Sequence, residues 1–219
     1  MIESIVSTLN SPNLLLVPEV IRWVVWALAT LFYVLQPKFR MRVRFLNGLC
    51  YRYLALAGLF LFAFFAALET WIQYYVWRFD PFSEKFLPPH QPWIRFLFYS
   101  FQRFWLGVIL SIVIAFAFYL FLKVLQKYRG RFFEEGETEL GLALSFIVGW
   151  PHFVVFLPLT FVFVVLLSFA RRIFLKRAYT TLGFPMIFAA AVMLFWSEEI
   201  FAFFKLSTLQ VCLSCLGIQ

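Results

Sequence analysis

The sequence predicts an all-α fold, a polytopic transmembrane helical bundle of about six to seven membrane segments, forming a single integral membrane domain over residues 1–219. Three observations predict it. The chain is 63% hydrophobic and 22% aromatic, with a mean hydropathy of +0.87, more apolar surface than a soluble domain of this size has interior to hide. Its apolar runs are unbroken, as in FVVFLPLTFVFVVLLSFA from Phe153, whereas a membrane β-barrel alternates apolar and polar residues in segments of about ten. Clusters of Lys and Arg separate the runs, as they do in cytoplasmic loops. The net charge of +8 therefore speaks for topology and for anionic headgroups. The lipid bilayer is the expected partner, and no nucleic acid is expected.

Residues 1–13 hold Asn10, Pro12 and Asn13 and lack a basic n-region or a small-residue cleavage site. No cleaved signal peptide is expected, and the first span inserts by itself. That span is 14–36, with Pro18, Glu19 and Arg22 at its start; Glu19 and Arg22, three apart, are spaced to pair at the interface. Residues 37–52, beginning at Pro37, carry Lys38, Arg40, Arg42, Arg44 and Arg52, the densest basic loop. The second span, 53–77, contains Glu69 near its far end and an aromatic belt of Trp71, Tyr74, Tyr75 and Trp77. Pro81, Pro88, Pro89 and Pro92 forbid a continuous helix through 78–92, and His90 is a loop residue there. From Trp93 to Trp105, Arg95, Tyr99, Gln102 and Arg103 share one face, while Ile94, Leu97, Phe98 and Phe101 share another. This is an interfacial amphipathic helix or the wet end of the third span, 104–125.

A basic cluster (Lys123, Lys127, Arg129, Arg131) and four glutamates (Glu134, Glu135, Glu137, Glu139) follow. The apolar segment 140–150 is too short alone to cross a hydrocarbon core of about 30 Å, and Trp150-Pro151-His152 breaks it. The spacing predicts a helix over Gly141–Trp150, stopped at Pro151, with Glu137 in its first turn. The fifth span is 152–169, with Pro158 tolerated inside it, followed by Arg171, Arg172, Lys176 and Arg177. Tyr179–Trp196 is the sixth span. Ser197-Glu198-Glu199 reads as a turn before a weaker seventh segment, 200–218, that contains Lys205. Alternation places the basic stretches 37–52, 123–131 and 171–177 on the cytoplasmic side and the N-terminus and 78–95 on the other.

Few residues carry recognisable chemistry. Cys212 and Cys215 form a CxxC without further Cys or His nearby in sequence, so no zinc set is expected. Cys50 reads as a helix residue. No nucleophilic triad or Gly-rich phosphate loop is present, and no cofactor or metal is expected. The glutamates between Lys123 and Pro151 read as a solvated, mixed-charge cytoplasmic loop whose mutual repulsion Arg129 and Arg131 offset.

Residues 104–196 nonetheless resemble the C-terminal part of prepilin peptidases, membrane-embedded aspartic endopeptidases that cut the leader from type IV pilin precursors. The family's second motif runs Gly-x-Gly-Asp-x-Lys-Leu and leads through a short apolar helix to Gly-Trp or Gly-Trp-Pro. Here Glu134-Glu135-Gly136-Glu137-Thr138-Glu139-Leu140 stands in that place, Gly149-Trp150-Pro151 follows at the matching distance, and Leu182-Gly183-Phe184-Pro185 opens the last matching helix. The resemblance implies that Glu137 stands where the catalytic aspartate would. It implies that Gly136, Glu139, Gly149, Trp150, Pro151, Gly183 and Pro185 are motif positions, that partners are pilin-like or other membrane proteins, and that the protein lies in a bacterial inner membrane.

The departures bear on activity. The first Gly is Glu134, the Asp is Glu137, the Lys is Glu139, and the chain holds a single aspartate, Asp80. An acid pair shares one proton around a water, and positioning shifts near 1 Å are damaging. The partner acid for Glu137 would have to be Glu69, which charge-based topology puts at the opposite face. The expectation is a diverged, catalytically inactive membrane binding or assembly component. The alternatives are an endopeptidase using Glu137 and Glu69, and a small-solute transporter subunit with Gly/Pro-broken helices and polar groups at the midplane.

Overall fold

A computed structural model of the chain describes residues 16–39, 44–128, 133, 136–175 and 181–204. Among these, the only regular elements are helices: α1 (Val17–Phe39), α2 (Arg44–Phe79), α3 (Trp93–Tyr128), α4 (Glu137–Val148), α5 (Phe153–Leu175) and α6 (Gly183–Phe203), with a 3₁₀ turn at Ser83–Phe86. All except α4 are long and apolar enough to cross a membrane, so the chain is an integral membrane protein with five candidate spans among the described residues. The expected N-terminal stretch 1–13, Arg129, Arg131, Glu134, Glu135, Lys176, Arg177 and the part of the seventh segment holding Lys205, Cys212 and Cys215 lie outside the described residues.

Several helix boundaries differ from the sequence reading. α1 runs through Pro37 to Phe39, and α2 begins at Arg44, so helix takes up much of the basic stretch 37–52. The segment from Trp93 takes the second of its two expected forms, the wet end of the third span, continuous with it through a π-helical turn at Phe101–Trp105. α4 starts at Glu137, a full turn before the apolar run. Ser197-Glu198-Glu199 is no turn: α6 continues through it to Phe203, with a kink at Trp196 (φ −125°, ψ 25°). Glutamate is a good helix former, and Glu198 and Glu199 are exposed, so nothing forces the helix to stop. Glu19 and Arg22 form no direct ion pair, the ion pairs among the described residues being Arg52–Glu139 and Lys123–Glu139, but they line the same hollow and Glu19 is an electrostatic neighbour of Arg22.

α4 is the centre of the bundle. It packs against α1, α2, α3, α5 and α6, and every residue in it except Leu142 is buried. A helix apolar on all sides belongs in an interior, and Leu140, Ala143 and Leu144 are fully enclosed. The surrounding helices turn large side chains such as Phe60, Val165 and Phe169 outward, as lipid contact requires. Glycines bound α4 at both ends. Gly136 precedes it at φ 89° and Gly149 ends it at φ 66°, backbone conformations that side chains with a Cβ rarely adopt. The Trp150–Pro151 peptide beyond it is cis. At 12 residues and about 1.5 Å per residue, α4 reaches only about 18 Å into the bundle.

Candidate functional site

Glu137 and Glu139 lie in the first turn of α4 and are 1% and 5% exposed. The expectation of a solvated loop is therefore wrong for these two residues. They fold inward because neighbouring helices bring polar partners to the same end of the bundle. Two residues along a helix is a rotation of about 200°, so the two carboxylates face opposite ways.

Glu137 faces α1 and α6. One of its oxygens, Oε1, accepts the Gly183 N–H at 2.8 Å and the Tyr33 hydroxyl at 3.3 Å. The Tyr33 hydroxyl also lies 3.4 Å from Thr181 Oγ1, and the buried phenol of Tyr51 is an electrostatic neighbour of both Tyr33 and Glu137. Gly183 can approach because it has no side chain: a Cβ there would run into the Tyr33 ring. The Gly183 N–H is free to reach across because the first amides of a helix have no partner within it.

Glu139 faces α2 and α3. Its Oε1 accepts from Arg52 at 3.1 Å and from Lys123 at 3.2 Å, and its Oε2 accepts the Thr138 hydroxyl at 2.6 Å. Burial pushes the Glu139 carboxyl up, but the Thr138 hydroxyl, its own backbone N–H and Lys123 together outweigh burial and hold it below the usual carboxylate range. Both glutamates also sit at the positive end of the helix, worth about 0.3–1 kcal/mol to a carboxylate.

The other motif positions fall into two places. Gly183 and Pro185 join the glutamate end, where Pro185 is buried in the first turn of α6. Gly149, Trp150 and Pro151 lie at the opposite end of α4. There the Trp150 N–H donates to Ser111 Oγ at 3.0 Å, and Ser111 donates onward to the Gly107 carbonyl at 2.7 Å. Glu69 is not brought to Glu137. It lies seventeen residues along α2 from Arg52, about 25 Å from the glutamate end, and its charged neighbour is Arg103.

The arrangement is one of carboxylates held by donors, with a phenol and a backbone amide around one and two cations around the other. Among the described residues, no three His, Cys, Asp or Glu side chains gather as a metal set. Sequence reading missed Tyr33, Thr138 and the backbone of Gly183 as partners and placed Arg52 and Lys123 only as topology signals. A lone Tyr at the basic end of an apolar span was the available clue to Tyr33. No family model, curated protein or solved structure matches the chain.

Proposed function

We propose that the protein is a diverged, non-hydrolytic counterpart of the prepilin-peptidase scaffold, serving as a binding or assembly component for a pilin-like or other helical membrane protein in a bacterial inner membrane. The observation that carries this reading is the surroundings of Glu137. It opens a buried helix directly after Gly136, at the position the resemblance gives to the catalytic aspartate, and the Tyr33 phenol and the Gly183 amide are among its hydrogen-bond donors. Acid-pair hydrolysis needs a second carboxylate within hydrogen-bond reach, directly or through one water. Among the described residues, Glu139 turns away into its ion pairs, and Glu69 is about 25 Å along α2.

A place for a partner's apolar segment supports the binding half of the reading. A groove of about 300 Å³ runs between α2 and α3, walled by Leu56, Ile112 and Phe116, with Leu142 and Phe146 of α4 lining it and Arg52 beside it. The protein reconstituted in lipid nanodiscs and mixed with a pilin-type precursor should bind the precursor and leave its length unchanged by mass spectrometry. Cleavage by the wild type that disappears in Glu137→Gln would show a working peptidase and overturn the proposal. Absence of binding, with Leu142→Trp no different from the wild type, would remove the partner reading.

A further inference from the structure

α4 spans about 18 Å and ends about halfway through the bundle. Two hollows of about 80 and 170 Å³ lie there, and Arg22 of α1 lines both. Glu19, His152 and Ser197 line the smaller. Trp150, with Phe62, Phe104 and Phe146, lines the larger. Arg22 Nε, Trp150 Nε1 and His152 Nδ1 are each buried and have no hydrogen-bond partner. The Arg22 guanidinium carbon lies 5.9 Å from the centroid of the Phe62 ring, and Arg22 takes part in neither of the two ion pairs formed by the described residues.

We infer that the larger hollow binds an oxyanion, a carboxylate or phosphate group received by Arg22 and Trp150. The nitrogens of a guanidinium and of an indole can only donate, so what fills the hollow must present acceptors. Buried donors in native structures have partners almost without exception, and an unpaired one calls for a water, ion or ligand. An arginine at this depth calls for an anion in particular, and the guanidinium fork matches carboxylate and phosphate oxygens. Arg22 and Trp150 line the larger hollow together, and its volume has room for the head of such a group. Phe62, Phe104 and Phe146 in the same hollow suit the apolar chain of an amphiphile carrying it. His152, whose other nitrogen can donate or accept, lines the smaller hollow on the other side of Arg22. Glu19 shares the smaller hollow with Arg22 and is its electrostatic neighbour, so it partly offsets the cation and competes with any added anion. Failure of this inference leaves the reading of Glu137 untouched, because the two clusters lie at opposite ends of α4.

The test uses the full-length protein in neutral detergent, with binding read by native mass spectrometry. The probes are oleate, phosphatidylglycerol, inorganic phosphate and, as the uncharged control, methyl oleate. Oleate or phosphatidylglycerol should bind and methyl oleate should not. Saturation by inorganic phosphate as well would assign the oxyanion to solution, and binding of the amphiphiles alone would assign it to lipid. Trp150→Phe keeps the ring but removes the donor, and it should weaken binding about 3- to 10-fold. Arg22→Gln should weaken it more, and Glu19→Gln, which removes the like charge, should strengthen it. Binding of methyl oleate as tightly as oleate, no binding of any charged probe, or affinities unchanged within about twofold in Trp150→Phe and Glu19→Gln would overturn the inference even if Arg22→Gln does not fold.

Discussion

At the scale of single residues, the glutamate end depends on one close approach. The Cα of Gly183 lies against the Tyr33 ring, and a methyl group there would sit 2.5 Å from Tyr33 Cζ and 2.6 Å from its hydroxyl oxygen. Gly183→Ala must push the phenol away from Glu137 or move the start of α6, and overpacking of this kind costs about 1–3 kcal/mol. Gly58 in α2 is the contrasting case, because a methyl there meets Phe146 at 3.8 Å, an ordinary contact, and alanine favours a helix interior over glycine by about 1 kcal/mol. Thermal unfolding in detergent should show Gly183→Ala lowering Tm and Gly58→Ala leaving it unchanged or raised. Equal effects would mean that the Tyr33 contact is not tight.

At the scale of elements, α4 is set apart by what surrounds it. The five long helices face lipid on their outer sides and pack only on their inner ones, whereas α4 is enclosed all round. In a bilayer the gain from packing is dispersion and close fit rather than removal from water, so a cavity inside the bundle is costly and a shortened side chain facing lipid is not. Leu144 is fully buried and Leu166 of α5 is 56% exposed. Leu144→Ala should destabilise the protein by on the order of 2–5 kcal/mol, and Leu166→Ala by well under half of that, measured by denaturant titration in micelles. A small effect of Leu144→Ala would mean that α4 is not the packing centre.

At the scale of the whole molecule, the ends of the helices sort by charge. Tyr33, Arg52, Lys123, Glu139 and Gly183 come from five helices and meet at one end of the bundle. The basic stretches flank those same helix ends in sequence. From the tendency of Lys and Arg to remain on the cytoplasmic side, this end is expected to be cytoplasmic and the turn at Ser83–Phe86 outside. Single cysteines at the exposed positions Lys127 and Arg172, in a background without the native cysteines, should react with an impermeant reagent only from the cytoplasmic side. A cysteine at the exposed Glu84 should react only from the other. Labelling of Lys127→Cys and Arg172→Cys from different sides would refute this orientation.

Class, span positions and the short segment before Gly149-Trp150-Pro151 were legible because they depend on length and local composition. An apolar run of 18 residues or more declares a span wherever it stands, and a glycine followed by Trp-Pro ends a helix by backbone geometry alone. The fate of Ser197-Glu198-Glu199 was less legible, because glutamates at a membrane surface suit a turn and a helix equally. The burial of Glu137 and Glu139 was not legible at all. A charge run reads as solvated until its partners are known, and here the partners lie 104, 46, 87 and 16 residues away in the chain. The half-depth end of α4, and with it the unpaired donors of Arg22 and Trp150, likewise appears only when six helices are packed together. Local sequence determines which segments enter the membrane. Which polar groups meet there is decided by tertiary packing, because a hydrogen bond is a matter of a few ångströms and sequence distance says nothing about it.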